Sequence, residues 1–198
     1  MGQYYNILTN QNNEYKVYDR SIKRENEEPE YMLAKIMEHS WLYNDTMQSF
    51  SNVIYQNPTK VAWVGDYADE CDEDDLHNEN LSLETALNLH EIAWNSEEDY
   101  LNYSDFDTEN MLLVNWDKKQ YVKMQEYIDN NTCDGWCIHP SSLLTAIGNG
   151  FGGGDYRGIN LEDVGIWAYD TISFENLTDK NKFIENGFDK LFLEFNEQ

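Results

Sequence analysis

No lysine or arginine occurs between Lys60 and Lys118, and seventeen aspartates or glutamates fall in that 57-residue gap. The whole chain carries 13 basic and 38 acidic residues, so the gap holds most of a formal charge of −25. Basic residues gather only at Lys16–Lys35 and Lys118–Lys123. Neither group has the excess positive charge that direct nucleic-acid binding needs, and the acidic stretch would repel phosphates and anionic lipid alike. Cysteine is scarce too. Cys71, Cys133 and Cys137 are an odd count that excludes a disulfide framework and suits a reducing cytoplasm. No run of 18 apolar residues is present, which predicts no membrane span. The opening MGQYYN has no charged or apolar leader pattern, so no secretory signal is expected. Asn6 stands where N-myristoylation wants Ser or Thr.

Proline is equally sparse, with three residues, while aromatics reach 14% and hydrophobic residues 40%. That balance opposes the disorder that charge alone would suggest. A chain of 198 residues buries about 70% of its unfolded surface. We therefore expect one domain over residues 1–198, with an acidic segment at 66–109.

Local patterns predict the elements. Gln3–Leu8 and Glu14–Tyr18 read as a hairpin, and residues 19–30, with Pro29, as a loop. Helices are expected over Tyr31–Glu38, with Met32, Leu33 and Ile36 inward, and over Asn44–Tyr55, capped by Asn44 or Asp45 and with Met47, Phe50 and Ile54 inward. Val61–Val64 reads as a buried strand. Ser82 should cap a helix whose apolar stripe is Leu83, Ala86, Leu87 and Ala93. Asp99–Glu109 reads as irregular surface, Met111–Trp116 as a central strand and Lys118–Asn130 as a helix. Strands are expected at Val164–Phe174 and Lys190–Phe195, with a helix at Thr178–Glu185 between them. Without a regular β-α-β rhythm, the fold class is α+β: a mixed or antiparallel sheet with several packed helices and an acidic excursion.

Candidate chemistry is limited. The segment GNGFGGGDYRG, Gly148–Gly158, holds six of the eleven glycines. Gly148, Gly150 and Gly153 satisfy GxGxxG, but no amphipathic helix follows, and a P-loop lysine is missing. The glycines point to positive φ or close backbone approach, with Asp155 and Tyr156 held on an unusual loop. Cys133, Cys137 and His139 fall within CDGWCIHP, three possible zinc ligands where a structural site wants four. Buried thiols and a turn-ordering histidine are the expectation there. Asp69, Asp72, Asp74 and Asp75 lack the glycine and terminal glutamate of a calcium loop. No metal and no cofactor are expected.

The pieces GQYY, KIMEHS, VAWVGDYADE, WCIHP, GNGFGGGDY and VGIWAYD together resemble a family of small proteins of bacteria and their phages that has no assigned activity. Relatives carry a GQY opening and VGDYA, GRGGGD and W-A-x-D segments, not always in this order. Phe151 stands here where the family often has Arg. The resemblance implies that recurring motifs gather in space, bringing Asp66, Asp155, Tyr156 and Asp170 toward one pocket. The blocks CDEDD and EEDYLNYSDFDTE lie outside the motifs, so this acidity reads as a feature of this member.

Two functional expectations follow. The first is a phage-type inhibitor that occludes a basic host protein, such as a nucleic-acid-binding defence nuclease, by mimicking phosphates. Seventeen charges match about 29 Å of duplex at one charge per roughly 1.7 Å, within reach of a fold of ~16 Å radius of gyration. The contact residues would be Asp69, Glu70, Asp72, Glu73, Asp74 and Asp75 in one block. Glu97, Glu98, Asp99, Asp105 and Asp107 would form a second, with Tyr100, Tyr103 and Phe106 as aromatic anchors. The second expectation is an enzyme or small-ligand protein centred on Asp66, His139, Asp155 and Asp170. A merely solubilising role is the third possibility.

Overall fold

Along Tyr5–Gln11 and Thr59–Gly65 apolar side chains leave the backbone on both sides, so a sheet built from these strands must be covered twice. The computed structural model describes residues 2–25, 27–28, 30–31, 34–158 and 160–195. Its strands are β1 (Tyr5–Gln11), β2 (Glu14–Lys23), β3 (Glu30–Tyr31), β4 (Thr59–Gly65), β5 (Asp99–Asn102), β6 (Met111–Asn115), β7 (Gln120–Lys123), β8 (Ala146–Ile147), β9 (Thr171–Asn176) and β10 (Asp189–Lys190). The helices are α1 (Ile36–His39), α2 (Asp45–Val53), α3 (Leu83–Asn95), α4 (Met124–Asn131), α5 (Pro140–Leu144) and α6 (Lys180–Glu185). All ten strands join one mixed sheet in the order β10-β7-β6-β9-β4-β1-β2-β3, with β5 added beside β2 and β8 beside β4. The pairs β10–β7, β2–β5 and β4–β8 are parallel. The fold is a single α+β domain.

Side-chain alternation sorts the core into two faces. Tyr5, Ile7, Val61, Trp63 and Leu113 point to one, where they meet Met47 and Phe50 of α2, Tyr127 of α4 and Leu143 of α5. Leu8, Ala62 and Val64 point to the other and meet Ala86, Leu89 and Ala93 of α3. Leu112 and Val114 continue that second face under Phe183 of α6. Trp63, Trp167, Phe50 and Phe174 are fully buried, each contributing about 1.5–3 kcal/mol. Small residues under α3 bring its helix close to the strands, so the acidic chain around it lies directly over the sheet.

The glycine-rich loop closes the fold against the N-terminal segment. Gly2 bridges Gly153, and the Gln3 N–H donates to the Gly153 carbonyl at 2.9 Å. A Cβ at Gly152 would lie 2.7 Å from the Gln3 nitrogen, so only glycine admits this crossing. Gln3 is itself buried, its amide donating to Tyr5 Oη and to the Gly148 carbonyl.

Several expectations are met and others revised. Both capped helices form: Asn44 accepts from the Thr46 N–H, and Ser82 from the Thr85 N–H. On α3 the inward residue is Leu89, while Leu87 is exposed. The loop expected over 19–30 is strand as far as Lys23 and again at Glu30–Tyr31; Pro29 lies outside the described residues. The helix expected over Tyr31–Glu38 is reduced to Ile36–His39, and Met32 and Leu33 also lie outside them. Residues 118–130 split into β7 and α4 because Gln120 and Tyr121 pair with β6 on one side and β10 on the other. Within Asp99–Glu109, β5 pairs with β2 and buries Leu101. Residues 164–169 form turns ahead of β9, and Lys190–Phe195 is strand only at its first residue.

The crossing gives a direct test. Gly152→Ala should lower unfolding free energy by about 2–3 kcal/mol. Gly187→Asn, at φ +77° with open space around it, should stay within roughly 0.5 kcal/mol. Urea titration measures both; equal losses would mean the crossing is not tight.

Candidate functional site

The acidic segment is folded chain. After β4, residues Ala68–Glu70 and Glu73–Asp75 make two short 3-10 turns. In the second, the Asp74 N–H donates to Asp72 Oδ1 and the Asp72 N–H donates to Asp75 Oδ2, both at 2.9 Å. Asp69, Glu70, Asp72, Glu73, Asp74 and Asp75 are all exposed. No lysine or arginine is ion-paired with Asp72, Glu73, Asp74 or Asp75 among the described residues. The concentration of charge registers beneath them: burial, then the charges of Asp75, Asp72, Asp69 and Glu70, push the Cys71 thiol up to about 12.

Helix α3 connects this block to the second. Asp69 lies 3.8 Å from His90, five residues or about 7–8 Å of helix rise before Asn95. The chain then leaves toward Glu97, Glu98 and Asp99, all exposed. Glu84 and Glu91 are exposed on α3 between the blocks, and sequence patterning did not single them out. Beyond β5 the chain crosses to the opposite face. The Ser104 and Phe106 N–H groups donate to Ser49 and Gln48 of α2, carrying Asp105 and Asp107 away from the first block. Phe106 packs on Tyr55 and Phe174 and belongs to the core. Tyr100 remains half exposed, whereas Tyr103 donates to Asp105 and lies under Arg24.

The four residues of the enzyme expectation do not share a pocket. Asp66 and Asp155 approach the same tyrosine, Tyr5, whose hydroxyl burial and then the Asp155 charge push upward. Asp66 accepts from the Tyr4 N–H, and Asp155 Oδ2 accepts from the Gly150 and Gly152 N–H groups. Burial raises the Asp155 carboxyl above its usual range against those hydrogen bonds. Tyr156 is buried against Phe195. The GQYY, VGDYA and GGGD segments thus do converge, as packed structure around Gln3 and Tyr5. Asp170 is buried elsewhere, between the Asn78 and Asn115 amides that donate to its two oxygens at 2.9 and 2.8 Å.

His139 lies inside the first core face. Its Nδ1 accepts from the Ser141 N–H as the cap of α5, which leaves the Nε2 proton for Ser51 Oγ at 3.1 Å. Cys137 is buried, and burial pushes its thiol up to about 11. Cys133 is exposed on the turn that presents Trp136. No three potential ligands gather for a metal among the described residues.

What sequence reasoning missed is a groove at Lys60 and Tyr169. Tyr169 has φ +63°, a conformation rarely held by an aromatic residue. Its hydroxyl accepts from Asn10 Nδ2 at 2.7 Å and meets the Tyr15 hydroxyl at 3.1 Å. Burial and the Tyr15 hydrogen bond push that hydroxyl up to about 12. Lys60 Nζ stands 4.8 Å over the ring. A hollow of about 500 Å³ opens on one side of this pair and another of about 420 Å³ on the other. The motif VGIWAYD carries Ala168, Tyr169 and Asp170 of this groove, but no sequence signal joined it to Lys60. Comparison with protein-family models, curated proteins and solved structures finds no match to this chain.

Burial lowers the His139 pKa to about 3, below its value of about 6.5 in the unfolded chain. The unfolded state therefore binds the extra proton between those values, and stability falls as pH drops through that window. His139→Asn keeps a capping acceptor and removes the titration. From pH 7 to 4.5 the wild type should lose on the order of 2–3 kcal/mol relative to its own change in the variant, read by urea unfolding at each pH. Parallel pH profiles would refute a buried neutral imidazole.

Proposed function

We propose that the protein works by binding, without turnover or cofactor. It docks its acidic face on a basic, nucleic-acid-binding protein and occludes the surface that phosphates would occupy. The target class is a bacterial defence nuclease, and the protein is a phage-type inhibitor of the reducing cytoplasm. The observation that supports this reading is the ordering of the acid. Asp72 and Asp75 cap each other's backbone, so these two carboxylates are held in place, and none of the four from Asp72 to Asp75 is paired with lysine or arginine among the described residues. A solubilising surface needs charge but no fixed spacing, whereas a surrogate for regularly spaced phosphates needs both.

Glu84 and Glu91 extend the face along α3 to Glu97, Glu98 and Asp99, with Tyr100 as the exposed aromatic at its end. Such an interface would gain speed and specificity from charge complementarity, with affinity set by a few anchors. Asp105, Phe106 and Asp107 fall outside it, because α2 holds them on the other side of the sheet. Three free thiols suit the proposed compartment. No helix among the described residues is long and apolar enough to cross a membrane.

The test compares wild type with a variant carrying Asp72→Asn, Glu73→Gln, Asp74→Asn and Asp75→Asn. These amides keep the capping acceptors while removing four charges. Affinity capture from bacterial lysate should retain a basic nucleic-acid-binding protein on wild type alone, and duplex DNA should displace it. Its affinity should fall about tenfold or more between 50 and 200 mM salt. Identical capture by both proteins, or none, rejects the proposal.

A further inference from the structure

The groove at Tyr169 adjoins the acidic segment, which supplies one of its walls through Asn80 and Thr85. We propose that it binds an acidic saccharide, with a sugar carboxylate on Lys60 and sugar rings lodged on either side of Tyr169.

The cation comes first. Lys60 leaves β4 on the α3 side of the sheet, beside Ala62 and Val64. Among the described residues its ammonium contacts the Tyr169 ring and, at 3.5 Å, the Tyr169 carbonyl. No carboxylate lies within ion-pair distance of it among the described residues. The two nearby aspartates are already engaged: Asp170 holds the Asn78 and Asn115 amides, and Asp117 accepts from the Thr171 N–H. The ammonium therefore has donors to spare for one anion.

The walls set the rest of the chemistry. Toward α3 the groove is lined by Asn80 and Thr85, behind which Asn78 is buried with its amide given to Ala168 and Asp170, and toward the β1–β2 turn by Asn12 and Asn13, beside a Gln11 that donates to Asn57. Carboxamides and hydroxyls of this kind offer paired donors and acceptors that suit vicinal hydroxyl groups. Leu81, Ala168 and Pro58 give too little apolar surface for a hydrophobic ligand. Asp117 and Asp170 in the walls, within a chain of net charge −25, exclude a polyanion such as a nucleotide triphosphate. One carboxylate on a polyhydroxylated body satisfies all three limits.

Tyr169 makes the two hollows one site. Its ring separates them, its hydroxyl is fixed from one side by Asn10 and Tyr15, and Lys60 covers its face. A left-handed backbone at a bulky residue is kept only where its surroundings enforce it, as at ligand clamps. Two adjoining hollows of about 500 and 420 Å³ have room for two sugar units.

The experiment titrates the full chain with an aldobiuronic acid (glucuronate linked to a neutral hexose), with the matching neutral disaccharide and with inorganic phosphate. Calorimetry gives affinity, and backbone amide resonances locate the ligand. The acid should bind and shift the amides of Tyr169, Asn80 and Asn12, with the neutral sugar at least tenfold weaker and phosphate weaker still. Lys60→Met should lose at least tenfold, and Lys60→Arg should restore most of it. The acid-against-neutral comparison needs only wild type, so it stands even if a variant misfolds. Equal binding of acid and neutral sugar, phosphate binding as tight as the acid, shifts elsewhere, or no binding at millimolar ligand would each overturn the proposal.

Discussion

Gly152 has no side chain, and the backbone at Gln3 runs where one would be. That crossing fixes the entry of β1 into the middle of the sheet, because Gln3 is tied to Gly153 and Gly148 just before Tyr5 begins to pair with Gly65. β1 in turn pairs with β2 on one side and β4 on the other, and β1 and β4 together supply side chains to both core faces. The short motifs at Gly2–Tyr5, Gly65–Ala68 and Gly148–Asp155 are therefore parts of one joint. Their carboxylates serve it: Asp66 holds the Tyr4 N–H, and Asp155 gathers two N–H groups of the loop. A residue type suited to catalysis is here spent on holding backbone.

The acidic layer is arranged so that its repulsion harms the fold little. The face beneath it uses small residues, Ala62, Ala86 and Ala93, which draw α3 onto the strands while its glutamates point to water. Within the layer, neighbouring carboxylates cap backbone N–H groups in the 3-10 turn, which turns part of the charge into local order. Cys71 sits under this field as a buried apolar filler with its proton firmly held.

Much of the architecture was legible because local signals and tertiary packing agree. Asn44 and Ser82 cap where their side chains predict, and Met47, Phe50 and Ile54 face inward as their spacing requires. Legibility fails where pairing partners lie far away in sequence. Gln120–Lys123 has helix formers on both sides, yet it is strand because β6 and β10 flank it. Leu101 is buried only because a parallel strand forms beside β2. For the candidate sites, charge and exposure of the acidic blocks were readable, but not the change of face that separates Asp105 and Asp107 from the rest. The motif VGIWAYD held one wall of the groove, but its pairing with Lys60 was not readable: Lys60 and Tyr169 are 109 residues apart, and nothing about a tyrosine announces a positive φ.

The placement of β1 also has a consequence for synthesis. β1 lies inside the sheet and precedes its partners, since β4 begins at Thr59 and the glycine-rich clamp at Gly148. The β1–β2 hairpin can form early, but the core cannot close until the glycine-rich loop has been made, as contacts of long sequence separation form late. Through that interval the emerging chain carries the uninterrupted acidic stretch, whose self-repulsion keeps unfinished chains apart. The same charge that the folded molecule exposes thus also opposes, during translation, the premature association of unfinished chains.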